Sequence, residues 1–545
     1  MEKKAQAIKN SHSDTPTVEA AAAATVSYIT ISTLEYHQLK EKTIEQEAQI
    51  NRLSEQIEWL MEQMRLARKY RFGTSSEKSV GQVCFDEVFN ELEHIIAKQN
   101  AKEATTQVKS HTRKPKRRLL AMVPPGTPVE EIVHGLAEDE RVCPECGELM
   151  PQIGRQIART EVRIIPAQVS LVRHVTMTYA CRNCEETSIH TPIKQGEAPN
   201  AVIEGGNATP ESIAHIAVQK YANGMPLYRQ EQDWARQGID LSRQTMSNWL
   251  MKAGEEWLKP IYERLTKLLL LEGVLHADDT GLKVLHEDGK KSKSKSRMYL
   301  YRTSGCAKRA IVVYEYRPDW GWDNPKEFLA GYKGYLHTDG HEGYHQLPGD
   351  IIPVGCWAHV RRGFTDAVAA APKEKRDKAE ANKGVAYLDR LFRLEREWDE
   401  QGISWDERKQ MRLKHAVPII EAFYAWVNEM SKRTFPKSKF GDALRTALSQ
   451  RKYVENYLLD GRLEISNNRA ERSIKPFVIG RKNWLFSNTA DGAKSSAIYY
   501  SLIETAKENG MNPFEYLSRV FREAPNRNTG HSWDDLLPCQ TAAAT

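Results

Sequence analysis

Acidic residues at the ends of apolar runs are the parts of this 545-residue chain best suited to chemistry. The run Val274 to Ala277 leads into Asp278-Asp279-Thr280-Gly281, and the run GYLHTD ends in Asp339 before Gly340. Carboxylates are hard oxygen ligands, and a few of them suffice for Mg²⁺, which keeps several of its waters. Two such ions about 3.5–4 Å apart can activate an attacking oxygen and stabilise a leaving one. Asp278 and Asp339 fit as two ligands of such a centre, and the third has to come from elsewhere. The last third of the chain offers Glu464, Glu471 and Glu504, and spacing leaves all three open. Asn468 with Glu471 three residues on also reads as a capping box, which satisfies backbone N–H groups without any catalysis.

A second constellation is made of cysteines. Cys143-Pro-Glu-Cys146 and Cys181-Arg-Asn-Cys184 are two CxxC knuckles. Four thiolates at this local spacing suit tetrahedral Zn²⁺ in a structural role. A redox CxxC explains one pair and not two. Between the knuckles Val169, Leu171, Val175, Met177 and Tyr179 share a period-two register broken only by Arg173, which predicts a β-hairpin that brings them together. Cys84, Cys306, Cys356 and Cys539 have no such spacing and read as structural or incidental.

The elements that must position these groups divide the chain into several domains. Residues 1–32 show no usable periodicity and read as disordered. In residues 33–70, Ile50, Leu53, Ile57, Leu60 and Met64 step by three and four, a narrow seam that suits a coiled-coil homodimer. Residues 71–130 form a linker carrying the basic block KSHTRKPKRR, and residues 131–195 form the zinc-binding module. Residues 205–270 are helical. Residues 271–365 and 461–522 have mixed α/β character, separated by the all-helical stretch 366–460, and residues 523–545 close the chain as a polar tail. Within the mixed part, RMYLYRT (297–303), AIVVYEY (310–316) and IIPVGC (351–356) join the two runs above, with a helix from near Ala358. The order strand, strand, strand, helix, strand, helix, strand, helix is that of an RNase H-like α/β core, in which carboxylates at the ends of neighbouring strands face each other.

Pro226 to Gln237 predicts a helix with Pro at its first position. A Gly-containing turn follows, and Ser242 stands as N-cap before RQTMSNWL. This matches a helix-turn-helix whose Arg243, Gln244 and Asn248 are able to read base edges, although a plain helical hairpin gives the same pattern. The basic cluster RKNW at 481–484 adds Arg481 and Lys482 as candidates for DNA contact. The net charge of +6 is weak support for a polyanionic partner by itself. No apolar run approaches the roughly 18 residues that cross a bilayer, and the N-terminus lacks an apolar signal region. No membrane association and a cytoplasmic location are therefore expected.

The chain resembles the IS66-family insertion-sequence transposases from about Leu53 onward. The motifs run in the family's order: FGTSSEK (72–78), the paired knuckles, KYANGMPLYRQEQ (220–232), LSRQTMSNW (241–249), HADDTGLKVL (276–285), GYLHTDGHEGY (334–344), CWAHVRRGF (356–364), NNRAERSIKPFVIGRKNWLFSN (467–488) and SLIETAKENGMNPFEYL (501–517). The resemblance implies a DDE transposase that cleaves and joins DNA strands with Mg²⁺ at the element's terminal inverted repeats and at target DNA. It implies Asp278, Asp339 and Glu471 as the catalytic, Mg²⁺-binding carboxylates. It also places His359, Arg361 and Arg362 beside the DNA or behind those ligands, and it allows for accessory proteins of the same element. Asp279 stands where the family usually has Glu, and Ser466 where it usually has Asp. The alternative is a degenerate, non-catalytic DNA-binding regulator that keeps the zinc module, the helix-turn-helix and the dimer seam.

Overall fold

The computed structural model describes residues 32–72, 170, 172–180, 193–195, 198–287, 295–321, 323–340, 342–527 and 530–539. The chain divides into two compact units, residues 75–200 and residues 1–74 with 201–545. In the smaller unit, β1 (Thr178–Ala180) pairs antiparallel with β2 (Ile193–Gln195). Among the described residues of the alternating stretch, strand begins at Thr178. Val175 and Met177, on the apolar register, lie on the surface, so the alternation has no apolar face to bury at those two positions. All four knuckle cysteines lie outside the described residues.

The larger unit opens with α1 (Thr33–Phe72), a single 40-residue helix. Its seam residues Ile50, Leu53, Ile57, Leu60 and Met64 are all exposed in the single chain. Near its end the helix is docked: Leu66 is buried, Glu62 accepts from the Lys439 N–H at 2.8 Å, and Arg65 donates to the Ala370 carbonyl. Four helices precede the sheet: α2 (Pro210–Tyr221), α3 (Leu227–Arg236), α4 (Arg243–Ala253) and α5 (Lys259–Leu269). Pro226 occupies the N-cap of α3 rather than its first turn, in extended conformation, and Ser242 caps α4 by accepting from the Thr245 N–H.

The sheet strands are β3 (Val274–His286), β4 (Lys295–Thr303), β5 (Val312–Arg317), β6 (Gly334–His337) and β7 (Ile351–Val354), with the short helix α6 (Asp323–Phe328) between β5 and β6. Their spatial order is β5-β4-β3-β6-β7. β4 and β5 join antiparallel, and β6 and β7 run parallel to β3. β3 continues through Asp278 for thirteen residues, so Asp278 lies mid-strand and not at the strand end its sequence predicts. The extension is held by β4 on one side and, at Val284 and His286, by the short strand β8 (Ser487–Thr489).

Between β7 and the final elements stands a helical block: α7 (Trp357–Ala370), α8 (Ala381–Gln401), α9 (Trp405–Met411), α10 (Val417–Ser431) and α11 (Lys439–Val454). It has its own core, in which Trp357, Phe364, Phe423, Tyr424 and Trp426 are packed ring to ring. The chain then returns to the sheet through α12 (Asn468–Trp484), β8, α13 (Ala490–Glu508) and α14 (Pro513–Glu523). The outer edge of β5 would be an open row of backbone groups. The α13 hydroxyls satisfy them: Thr505 accepts from the Val312 N–H and donates to its carbonyl, and Ser501 accepts from the Tyr314 N–H. The expected polar tail is not one throughout, because Leu536, Leu537 and Cys539 are buried in the main core.

One buried cation joins the helical block to the segment ahead of α12. Arg412 is fully buried and grips Glu395 with two hydrogen bonds of 2.7 and 2.8 Å. Its remaining donors hold the carbonyls of Tyr457, Asp460 and Leu463. Removing one partner of a buried ion pair strands the other charge, at a cost of about 3–5 kcal/mol. Arg412→Ala is therefore expected to lower stability by about 3 kcal/mol or more, read by urea unfolding followed by circular dichroism. A loss under about 1 kcal/mol, the range of a solvent-exposed pair, contradicts the clamp.

Candidate active site

The register of β3 and β6 places the first two carboxylates. The parallel pairing ends at His276 opposite His337, and Asp278 and Asp339 each lie two residues beyond that last pair. A step of two returns a strand to the same face. The two imidazoles stack at 4.3 Å with planes 11° apart, which fixes the level from which both aspartates start. Gly340, at φ 91, turns the chain away directly after Asp339, a conformation that favours glycine.

α12 supplies the third. Its first residue is Asn468, so the N-cap is Asn467, one position earlier than the capping-box reading requires, and the Asn467 side chain makes no cap bond. The Ser466 side chain is likewise one residue too early to cap. Asn467 is spent on the sheet instead. Its amide donates to the Ala277 carbonyl at 2.8 Å, its Oδ1 pairs with His276 Nδ1 at 2.9 Å, and its backbone N–H donates to Cys356 Sγ at 3.1 Å. The start of α12 is thereby tied to the residues flanking Asp278, and Glu471 follows one turn on.

The three carboxylates act on one another. Burial first, then the Asp339 charge, and with them Glu471 and Asp279, push the Asp278 carboxyl up to about 8. Glu471 meanwhile faces α7: His359 Nε2 is 3.6 Å from its Oε1, and Arg362 Nη2 is 3.4 Å from its Oε2. Glu471 Oε1 is buried and accepts no hydrogen bond. Among the described residues the ligand atoms of Cys356, His359 and Glu471 all lie within 4.8 Å of one another, which the spacing of Cys356 does not suggest, and Asp278 and Asp339 do not close up with Glu471 to that range.

The rival acids have other duties. Glu464 accepts from Arg469 and the Gly305 N–H and lies 3.5 Å from His276 Nε2. Burial raises its carboxyl, but His276, Arg469 and the Gly305 N–H together hold it well below the usual range. Glu504 is buried in α13 against Lys507. Of the basic candidates, Arg361 turns to Asp389 at 2.7 Å, and Arg481 donates to Thr280 at 3.2 Å. Lys482 is exposed. On α4, Arg243, Gln244 and Asn248 are all exposed, with Gln244 donating to Asn248 at 3.0 Å and Arg243 leaning on Glu231.

Sequence reasoning passed over His276, His337 and Asn467. A signal for the first two was present, since both aspartates end a His-x-Asp tripeptide. Nothing local marks Asn467, whose side-chain partners on β3 are almost two hundred residues away.

Comparison with known proteins places the chain in a family. The model of the IS66 transposase family matches residues 205–495, more than half of the chain. The zinc-finger binding domain of transposase IS66 matches 140–185, the IS66 C-terminal element matches 501–539, and a model described as transposase C of IS166 homeodomain matches 59–132. The chain belongs to the IS66 transposase family. It is 32% identical over 360 residues to the uncharacterized protein y4qI of Sinorhizobium fredii, covering 64% of this chain and 65% of that one. It is 28% identical over 435 residues to the uncharacterized protein y4jD of the same organism, covering 77% and 82%. The zinc-finger match supports Zn²⁺ binding, and the transposase and homeodomain matches support DNA as a partner. No described helix is long and apolar enough to cross a membrane.

The Asp278 shift has a sign that can be tested. Its folded value of about 8 lies above the ordinary 3.8, so the folded chain binds the extra proton between them. Stability from this group is full below the ordinary value and is lost as pH rises through about 8. With divalent ions chelated, thermal stability should fall from pH 5 to pH 8, and Asp278→Asn should flatten that slope. An unchanged slope in Asp278→Asn removes Asp278 from the crowded cluster.

Proposed function

We propose that this chain is a DDE transposase that cleaves and joins DNA strands with Mg²⁺ at the terminal inverted repeats of an IS66-like element. The observation that carries the reading is the shared offset of Asp278 and Asp339 beyond the β3–β6 pairing, with α12, which carries Glu471, anchored by Asn467 to the residues just before Asp278. The sheet order, with three antiparallel strands followed by two parallel to the first, supports an RNase H-like core interrupted by the helical block.

The donor set fits hard divalent cations. It is all carboxylate oxygen, burial and then the neighbouring negative charges push the Asp278 carboxyl up, and the buried Glu471 Oε1 has no hydrogen-bond donor. Asp278, Asp339 and Glu471 would hold Mg²⁺, which when bound supplies Lewis-acid activation of the attacking oxygen and charge relief at the leaving one. The side chains form no bond to DNA. Water is the nucleophile that frees a 3′-hydroxyl at the element's end, and that hydroxyl then attacks a target phosphodiester. His359 and Arg362 hold the Glu471 carboxylate in reserve beside the aspartates. Exposed Arg243, Gln244 and Asn248 on α4 are placed to read base edges as the second helix of a helix-turn-helix. The exposed seam of α1 pairs with a second copy as a coiled coil. Cys143, Cys146, Cys181 and Cys184 hold the zinc of the finger domain.

Two experiments test this. Asp339→Ala is expected to bind a duplex bearing the terminal repeat as the natural chain does. It should cleave that duplex more than about 100-fold more slowly, beyond the loss typical of residues that only support a metal ligand. Cleavage at the natural rate would remove Asp339 from the centre, and a natural chain that shifts DNA without ever nicking it would instead be a non-catalytic regulator. Separately, Cys143→Ser should release the zinc that elemental analysis finds in the purified chain. Retention of full zinc content excludes Cys143 as a ligand.

A further inference from the structure

α12 ends in an unusual turn. Leu485 has φ 65 and ψ −41 and is the one described non-glycine residue with positive φ. Its neighbours close a γ-turn around it, with the Phe486 N–H donating to the Trp484 carbonyl at 2.8 Å. Such backbone strain persists only where surrounding structure over-determines it, and it gathers at sites of function. The turn does not serve burial. Leu485 is 66% exposed and Phe486 is 41% exposed.

The surroundings of the turn are cationic and lead straight to the carboxylates. Glu471, Lys475, Val478 and Lys482 step by four, three and four along α12, which sets them on one face of the helix, and Leu485 follows three residues on, just past its last helical residue. Lys475 and Lys482 are both exposed on that stripe. Two independent routes measure its length. Along α12, Leu485 lies fourteen residues beyond Glu471, about 21 Å at the helical rise. Along β3, Asp278 lies six residues before Val284, the partner of Ser487, about 20 Å at the strand rise. Just before the turn, Asn483 donates to the Gly224 carbonyl at 3.0 Å, in the connection between α2 and α3. The end of α12 thus touches the helical region that also carries Arg243.

We infer that Leu485 and Phe486 form an apolar wedge that enters a DNA duplex and unstacks it about six base pairs from the cleaved phosphate. The spacing follows from about 20 Å divided by the rise of about 3.4 Å per base pair. Lys475 and Lys482 neutralise the phosphates that run along α12 between the two points. Apolar side chains inserted between base steps kink duplexes in this way, and leucine and phenylalanine are among those used. The wedge bends the duplex so that one stretch of DNA can follow α12 and reach α4. The count of base pairs rests on the proposed role of Asp278, Asp339 and Glu471, whereas insertion itself does not.

The test uses the full chain and duplexes bearing the terminal repeat that flanks its reading frame, with 2-aminopurine placed singly at positions three to ten from the cleaved phosphate. Binding is measured in the Asp339→Ala background, so that fluorescence reports distortion without cleavage. A rise near the sixth position is expected, and its absence when Leu485→Gly and Phe486→Ala are added. Leu485→Gly alone should melt no lower than the parent, because glycine accepts positive φ without strain. In the chain with Asp339 intact, the double substitution should slow cleavage of a fully paired duplex about tenfold or more, and an unpaired mismatch near the sixth position should restore it. Fluorescence unchanged by the double substitution, or slowed cleavage that the mismatch does not restore, overturns the wedge. A changed sedimentation coefficient in the double variant assigns the turn to contact between copies and overturns it as well. If Asp339→Ala cleaves normally while the fluorescence rise stands, the metal-site reading falls and the wedge survives.

Discussion

Like-charged carboxylates repel, and a fold that gathers them must hold them by something other than their own preference. Here that hold comes from one amide. Asn467 bonds the carbonyl of Ala277 and the ring of His276, the two residues immediately before Asp278. Its backbone N–H reaches the thiol of Cys356 at the foot of α7. Three elements distant in sequence, β3, α7 and α12, are therefore indexed to one another at a single buried residue. The position of Glu471, one turn into α12, follows from where that helix is forced to begin. An unsatisfied buried amide costs about 1–3 kcal/mol, so a slip in register is penalised directly.

The helical block acts on the same point from the other side. Arg412 ties Glu395 of α8 to the carbonyls of Tyr457, Asp460 and Leu463, and Glu464 comes next, paired with Arg469 and close to His276. The insertion is long, but its last segment is pinned within a few residues of the Asn467 anchor. Long excursions between strands add little loop-closure cost as they lengthen, so an ordered block with its own aromatic core can be placed there without loosening the sheet.

Much of this was legible in the sequence. Strand composition and order gave the sheet, since β-branched and aromatic runs bounded by turn residues have few other homes. Ser242 was readable as a cap, because capping is decided within three residues. Longer-range effects were not. The extension of β3 through Asp278 depends on β4 and β8, and nothing in DDTG announces a continuing strand. The Asn-x-x-Glu pattern at 468–471 imitates a capping box, and the true N-cap side chain turns to partners on β3. Cys356 reads as incidental until α7 and α12 bring it beside His359 and Glu471. The expected polar tail fails for a similar reason, since Leu536 and Leu537 are only two apolar residues until the main core receives them. The knuckle cysteines and the basic block lie outside the described residues.

The departure at residue 466 can be weighed in the same terms. From the resemblance alone Asp is the expected residue at 466; the Ser466 found there is 9% exposed, directly before the Asn467 anchor. An ionised Asp there would add a further negative charge to a neighbourhood that already holds Asp278 protonated near neutral pH. Serine removes that charge while leaving the anchor itself intact, since the bonds that tie the start of α12 to β3 and α7 are made by Asn467. The absence of a carboxylate at 466 thus changes the local charge and not where α12 begins.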